Sequence, residues 1–253
     1  MIAREFDAGQ VYRYHELGSD RSFCHPIQVI WEPLRLAKTP LELLTAIFHA
    51  MLGHFNMWWD YGNLHRDVGA SNLIITQPRR CIQEAYYPPT HPMVENFKGQ
   101  DVTCVGLLID GDLARRTDNT GQAKTIGKYA SMSRRLHQAL RGHGGPITHS
   151  PIDDIESSVW SLTWVLYEQA CKVELKDSFT PDQRDAMEAL RSENPTEIHV
   201  AKRVLSSVPG KIFPQCFQLD SFISETLKLC GSLIGRSTVS ENEALFIYLP
   251  ELF

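Results

Sequence analysis

NLHRDVGASNLIIT, residues 63–76, sets a His-Arg-Asp triplet ahead of an asparagine five positions after the aspartate, then runs into an apolar segment. Asp67 and Asn72 therefore ride on one short loop that leads into a strand-like stretch, NLIIT (72–76). A lone His-Arg-Asp triplet arises often by chance, so its meaning rests on what surrounds it.

Upstream, TPLELLTAIFHAMLGHFNMWWDYG opens on a cap arrangement: Thr39 as acceptor, Pro40 at the first helical position, and Glu42 three residues after the cap. Leu44, Ile47, Phe48, Met51, Leu52, Phe55 and Trp58 recur at three- and four-residue steps. That period predicts a helix with one broad buried face, ended by Gly62. Before it, IQVIW (27–31) reads as a buried strand closed by Glu32-Pro33. Residues 1–26 show neither periodicity and read as a loosely organised lead-in.

Downstream, VGLLID (105–110) is a second short apolar strand, separated from the first by a polar, proline-bearing insertion around YYPPTHP (86–92). SPIDDIESSVWSLTWVLYEQA begins with Ser150-Pro151 and Asp153, another cap, and is apolar on most sides through Ile155, Val159, Trp160, Leu162, Val165 and Leu166. Such a helix belongs at the centre of a domain. Thr180-Pro181 with Gln183 starts a further helix, residues 196–206 another, and Phe222, Ile223, Thr226, Leu227 and Cys230 form a last amphipathic stripe. Beyond residue 111 only LFIY (245–248) has any strand character. Few strands early, helices late, no βαβ alternation and no repeats predict an α+β, mainly helical domain without an internal linker.

The chemistry follows from the same stretches. His65-Arg66-Asp67 with Asn72 fits the H-R-D-x-x-x-x-N pattern of a kinase catalytic loop, in which an aspartate takes the substrate hydroxyl's proton and an asparagine helps hold magnesium beside the phosphates. Asp110, ending VGLLID and followed by Gly111-Asp112-Leu113-Ala114, stands where a second metal-binding aspartate is needed; an ordinary Asp-Gly turn would leave the same trace. TIGKYASMS (125–133) lies where an activation segment would end, and Asp154 opens the apolar helix.

In order, HRDVGASN, LIDGDLA, GKYASMS and DDIESSVWSL resemble the fungal-specific family of protein kinases, whose pattern is H-R-D-I-S-x-x-N, L-I-D-x-D-x-A, G-T-x-x-F-M-S and D-D-L-E-S-x-x-x-x-L. Asp112 and the DDIES stretch separate this family from ordinary protein kinases. The resemblance implies the large helical lobe of a protein-kinase-like fold over residues 27–235, with a truncated or missing N-terminal lobe, an N-terminal remnant at 1–26 and a tail at 236–253. It implies ATP-dependent transfer of a γ-phosphate to Ser/Thr hydroxyls of a protein, with ATP and Mg²⁺ as cofactors. The catalytic set is then Asp67 as base with Arg66 and His65 beside it; Asn72 and Asp110 bind the nucleotide's metal, and Asp154 supports the loop from below. Arg66 resembles the arginine that pairs with a phosphorylated activation segment, with Thr117, Thr120 and Thr125 as acceptors; a solvated arginine and loop threonines fit the residues equally.

Several features depart from an active kinase. No G-x-G-x-x-G precedes IQVIWEP, and residues 1–37 contain no lysine to anchor the α and β phosphates. Gly69 stands where ordinary protein kinases often carry lysine, Gly111 replaces an aromatic, and Lys128 and Ser131 replace the Thr and Phe of G-T-x-x-F-M-S. Weak nucleotide binding and slow transfer are the expectation. The alternative is a catalytically inactive, pseudokinase-type module that binds a protein partner. A small-molecule phosphotransferase of the aminoglycoside-kinase type shares the two aspartates and the asparagine, but the long Asp110–Asp154 segment ending in GKYASMS favours protein kinases.

Composition narrows the setting. A formal charge of −5 over 253 residues leaves no basic footprint for nucleic acid. Cys24, Cys81, Cys104, Cys171, Cys216 and Cys230 are scattered without a C-x-x-C pair, as reduced intracellular thiols would be. The start, MIAREFDAGQ, has no signal-peptide shape, and no segment approaches the roughly 18 apolar residues of a membrane span, so cytoplasm or nucleus is the expected location.

Overall fold

A computed structural model describes residues 10–16, 22–28, 30–81, 103–116, 128–141, 148–172, 179–207 and 217–233. The chain is mainly helical with small antiparallel sheets, an α+β arrangement. Strands β1 (Gln10–Glu16) and β2 (Ser22–Gln28) pair antiparallel from Gln10↔Gln28 to Glu16↔Ser22. The stretch expected as an unorganised lead-in therefore holds a hairpin, whose residues lack the clean alternation that would have announced it. The expected strand at 27–31 is split: its first half closes β2, and Ile30–Pro33 is β3.

A three-stranded sheet, in the order β3-β5-β6, carries the site's edges: β5 is Leu73–Cys81 and β6 is Thr103–Leu108, both antiparallel to their neighbours. Helix α1 (Pro40–Tyr61) packs across β6. The approach is closest at Gly106, where a Cβ would sit 2.0 Å from the Ala46 carbonyl oxygen, so only glycine lets strand and helix meet. On the α1 side Ile47, Met51, Leu52, Phe55 and Trp58 of the predicted stripe are buried, joined by Leu43, while the predicted Leu44 and Phe48 are only partly buried and pack against that core.

The caps form largely as the residues dictate. Thr39 Oγ1 accepts from the Glu42 N–H at 3.0 Å, but the Glu42 carboxylate accepts from Lys38 N (2.6 Å), one residue ahead of the expected partner. At the other end Gly62 adopts φ 66°, ψ 18°, the left-handed conformation that ends a helix without a Cβ penalty.

Helix α3 (Pro151–Lys172) is the central helix, buried along almost its whole first four turns. Its buried hydroxyls bond back along the helix: Ser157 Oγ to Asp153 O (2.7 Å), Ser161 Oγ to Ser157 O (2.8 Å) and Thr163 Oγ1 to Val159 O (2.9 Å). No polar partner is then needed from the apolar surroundings. Helix α1 packs on one side of it and α6 (Phe217–Leu233) on the other. Helices α2 (Arg134–Leu140), α4 (Pro181–Ala189) and α5 (Pro195–Ser207) complete the helical region. Helix α4 begins with a full capping box between Thr180 and Gln183. Helix α2 has no counterpart in the sequence expectations: seven residues are too short to display a period. The insertion around 86–92 and LFIY lie outside the described residues.

Candidate active site

The loop from His65 to Asn72 is suspended between two strand pairs. Gly62 turns the chain out of α1 into β4 (Asn63–Leu64), which pairs with β7 (Arg115–Arg116), while Asn72 feeds β5 and its partner β6. Asp110 lies on the link from β6 to β7, and the same two pairings bring it to the loop. Two bonds fix the crossing: Ile109 N–H donates to Asn72 O (2.8 Å), and His65 Nε2 donates to Ile109 O (2.9 Å). Asp110 itself takes φ 65°, ψ 58°, a left-handed conformation that aspartate tolerates better than most residues.

His65 is a structural link. With its Nε2 hydrogen committed to a carbonyl, Nδ1 is left to accept from the Asp67 N–H at 3.4 Å. Burial drives its pKa down to about 4, so it is neutral at physiological pH, as that pair of bonds requires.

Beneath the loop lies Asp154, fully buried. Its carboxylate accepts from His65 N (3.0 Å) and from Arg66 N (3.2 Å to each oxygen), so two successive N–H groups converge on one anion. The convergence requires Arg66 at φ 69°, a conformation that costs a non-glycine residue on the order of 1 kcal/mol or more. Two histidines complete the shell: His54 Nε2 at 2.7 Å and His149 Nε2 at 2.8 Å. Burial opposes ionisation of Asp154, but the two histidines outweigh it and hold the carboxyl well below the usual range. His149 is raised in turn: Asp154 overcomes the burial that would lower it.

On the open side Asn72 Nδ2 donates both to Asp67 O (2.8 Å) and to Asp67 Oδ2 (3.0 Å), fixing the carboxylate against its own loop. Asn72 Oδ1 accepts from Ser71 Oγ at 3.1 Å, which leaves a carbonyl lone pair for a ligand. Asp67 is raised by burial and by the charge of Asp110, against the lowering effects of the Asn72 bond and the Lys128 charge. Asp110 is raised by burial and by Asp112. All of His65, Arg66, Asp67, Asn72, Asp110 and Asp154 thus come together around one loop, the two half-buried carboxylates on its open face and the fully buried one below.

A sequence model described as fungal protein kinase matches residues 21–166, more than half of the 253-residue chain, and spans all of these residues. The chain belongs to the fungal protein kinase family. The match begins inside the stretch read as a lead-in, at the hairpin. A comparison with curated proteins found no match.

In this family member the DDIES stretch divides its work among neighbours. Asp153 accepts from Ser133 Oγ (2.6 Å), from Ser150 N (2.8 Å) and from the Arg135 guanidinium, pinning the start of α2; Asp154 takes the loop. Glu156 accepts from Arg134 Nε (2.7 Å) and Trp160 Nε1 (3.0 Å), and Arg134 continues to Leu227 O on α6 (2.6 Å). Sequence reasoning missed His54, His149, Ser71 and the contact made by Lys128. His54 had a signal: it stands on the Ile47, Met51, Trp58 stripe, where a polar residue must find a buried partner. Thr117, Thr120 and Thr125 lie outside the described residues.

Protein kinases in general use ATP with Mg²⁺, and the donor set fits that group. The Asp110 carboxylate and the Asn72 amide oxygen with its spare lone pair suit a hard cation. Among the described residues no three His, Cys, Asp or Glu side chains form a metal site by themselves. Mg²⁺ needs no such cage where phosphates supply the remaining oxygens. Also among the described residues, no helix is long and apolar enough to cross a membrane.

Proposed function

We propose that the chain carries the large lobe of a protein serine/threonine kinase over residues 27–235 and transfers the γ-phosphate of ATP to a protein hydroxyl. The observation that carries this reading is the pair of hydrogen bonds that Asn72 Nδ2 donates to Asp67, on a loop tied to Asp110 through Ile109. Bound Mg²⁺–ATP supplies the phosphoryl group and offsets its charge. Asp67 accepts the proton as the substrate oxygen bonds to the γ-phosphorus, the bond from that phosphorus to the β–γ bridging oxygen breaks, and ADP departs with the electron pair. A pKa raised by burial makes Asp67 a better proton acceptor than an exposed carboxylate. Asn72 and Asp110 hold the metal; Asp154 keeps the loop in its strained form.

The test is Mg²⁺-dependent transfer from γ-labelled ATP to serine or threonine of the protein itself or of casein, compared with Asp67→Asn. Transfer should fall by about 10²-fold or more in the variant. No label with the unaltered protein, or equal label with both, would sink the reading and leave the partner-binding module in its place.

A further inference from the structure

The lysine at position 128 has a chemical consequence at the open face. Lys128 Nζ reaches Ser71 Oγ at 2.6 Å, although the two are 57 residues apart. Ser71 in turn donates to Asn72 Oδ1 (3.1 Å), and the Lys128 charge is felt at both Asp67 and Asp110. This is no loosely tethered surface lysine. Its carbonyl accepts from Ser131 N (3.1 Å), Met132 N (3.1 Å) and Ser131 Oγ (3.2 Å), closing a tight turn. The turn is clamped from behind: His137 Nε2 donates to Tyr129 O (2.6 Å), and the fully buried Lys202 donates to Tyr129 O (3.3 Å) and to Met132 O. Two carbonyls of a four-residue segment are thus held by a buried imidazole and a buried lysine amino group, which fixes where Lys128 starts. Its ammonium end is then free to serve the face that holds Asp67, Asn72 and Asp110.

Gly69 makes the approach possible. A Cβ there would lie 3.2 Å from Ser131 Oγ, so the loop and the turn come together at the position where the loop carries no side chain. Gly69 does not take a left-handed conformation, so a side chain is barred only by that tight contact. The loop carries no side chain at this point, and the turn brings a lysine to it from the facing side.

We propose that Lys128 is the cation that receives the terminal phosphate of the nucleotide at this site, delivered by the clamped turn against Ser71 on the loop of Asp67 and Asn72. The inference rests on the nucleotide reading above and adds a residue to it. A compact ammonium is suited to a phosphate as a point charge. In a site with two carboxylates it is also the group that keeps the anionic phosphate from being repelled.

Calorimetric titration of the full chain with Mg²⁺–AMP-PNP and with Mg²⁺–ADP separates the two ideas, because only AMP-PNP has the terminal phosphate. Lys128→Ala should weaken AMP-PNP by about tenfold and ADP by under about twofold. Lys128→Arg should keep most of the difference. Adding Gly69→Lys to Lys128→Ala should restore part of it, since only the Ser131 hydroxyl must give way. Equal weakening of both nucleotides, or of neither, overturns the assignment while leaving the nucleotide reading intact if Asp110→Asn abolishes binding. Failure of the unaltered chain to bind either nucleotide overturns both. Circular dichroism of each variant keeps loss of fold from passing as loss of contact.

Discussion

The loop from His65 to Asn72 has two faces that treat the same functional group in opposite ways. Below it, Asp154 is wholly buried yet ionised, because two histidines and two backbone N–H groups surround it. Above it, Asp67 and Asp110 are only partly covered, and burial together with a neighbouring carboxylate raises both. The lower carboxylate is satisfied by the protein alone. Among the described residues Lys128 is the cation that acts on both upper carboxylates, and in the proposed function a metal ion held with the nucleotide would add positive charge there. In the proposed function the lower face secures geometry and the upper face reserves binding capacity.

The contrast breaks most visibly at Asp154. Asp154→Ala would leave two buried imidazoles and two N–H groups without their acceptor and should cost about 3–5 kcal/mol in urea unfolding. A loss under about 1 kcal/mol would mean the lower face is not the anchor described.

Acid should produce the next effect. His65, depressed by burial to about 4 against roughly 6.5 unfolded, binds its proton later in the folded chain. Stability should therefore fall as pH drops from about 6.5 to 4, by roughly 3 kcal/mol from this group. His137, buried and depressed to about 3, adds to the same slope. His149 works in the other direction: its pKa is raised, so its contribution is full below about 6.5 and fades as pH rises through the folded value. Unfolding measured across this range should show a maximum near pH 6.5, and His149→Gln should flatten the alkaline side. An unchanged alkaline slope in that variant would remove His149 from the lower shell.

The smallest effect sharpens the comparison most. Asp67→Asn removes a carboxylate whose ionised form burial disfavours, so it should leave the unfolding midpoint unchanged or raise it, by under about 1 kcal/mol. A loss comparable to that of Asp154→Ala would erase the distinction between the faces.

Much of this was legible in the sequence, for identifiable reasons. Helix α1 announces itself because Thr39, Pro40 and Gly62 are local signals and its apolar stripe is long. The loop is legible because Asp67 and Asn72 are close in sequence, and the later motifs fall in order. The β1–β2 hairpin was not, since the alternation in Gln10–Glu16 is confined to Tyr12-Arg13-Tyr14-His15, too short to announce a seven-residue strand. Nor was the Lys128–Ser71 contact, because nothing local to TIGKYASMS says which side of the loop the turn will face. His149 sits just ahead of Ser150-Pro151, where sequence offers only a cap; its role appears when α3 carries Asp154 beneath Arg66. Local structure was readable in advance, and contacts between distant segments were not.

The central claim, that the upper face is reserved for a metal-bound nucleotide, is tested most directly by thermal unfolding of the unaltered chain and of Asp110→Asn, each with and without Mg²⁺–ATP. Ligand that binds the folded state raises the midpoint by mass action, so the unaltered chain should gain stability with Mg²⁺–ATP and Asp110→Asn should not. No gain in the unaltered chain, or the same gain in both, would contradict the account.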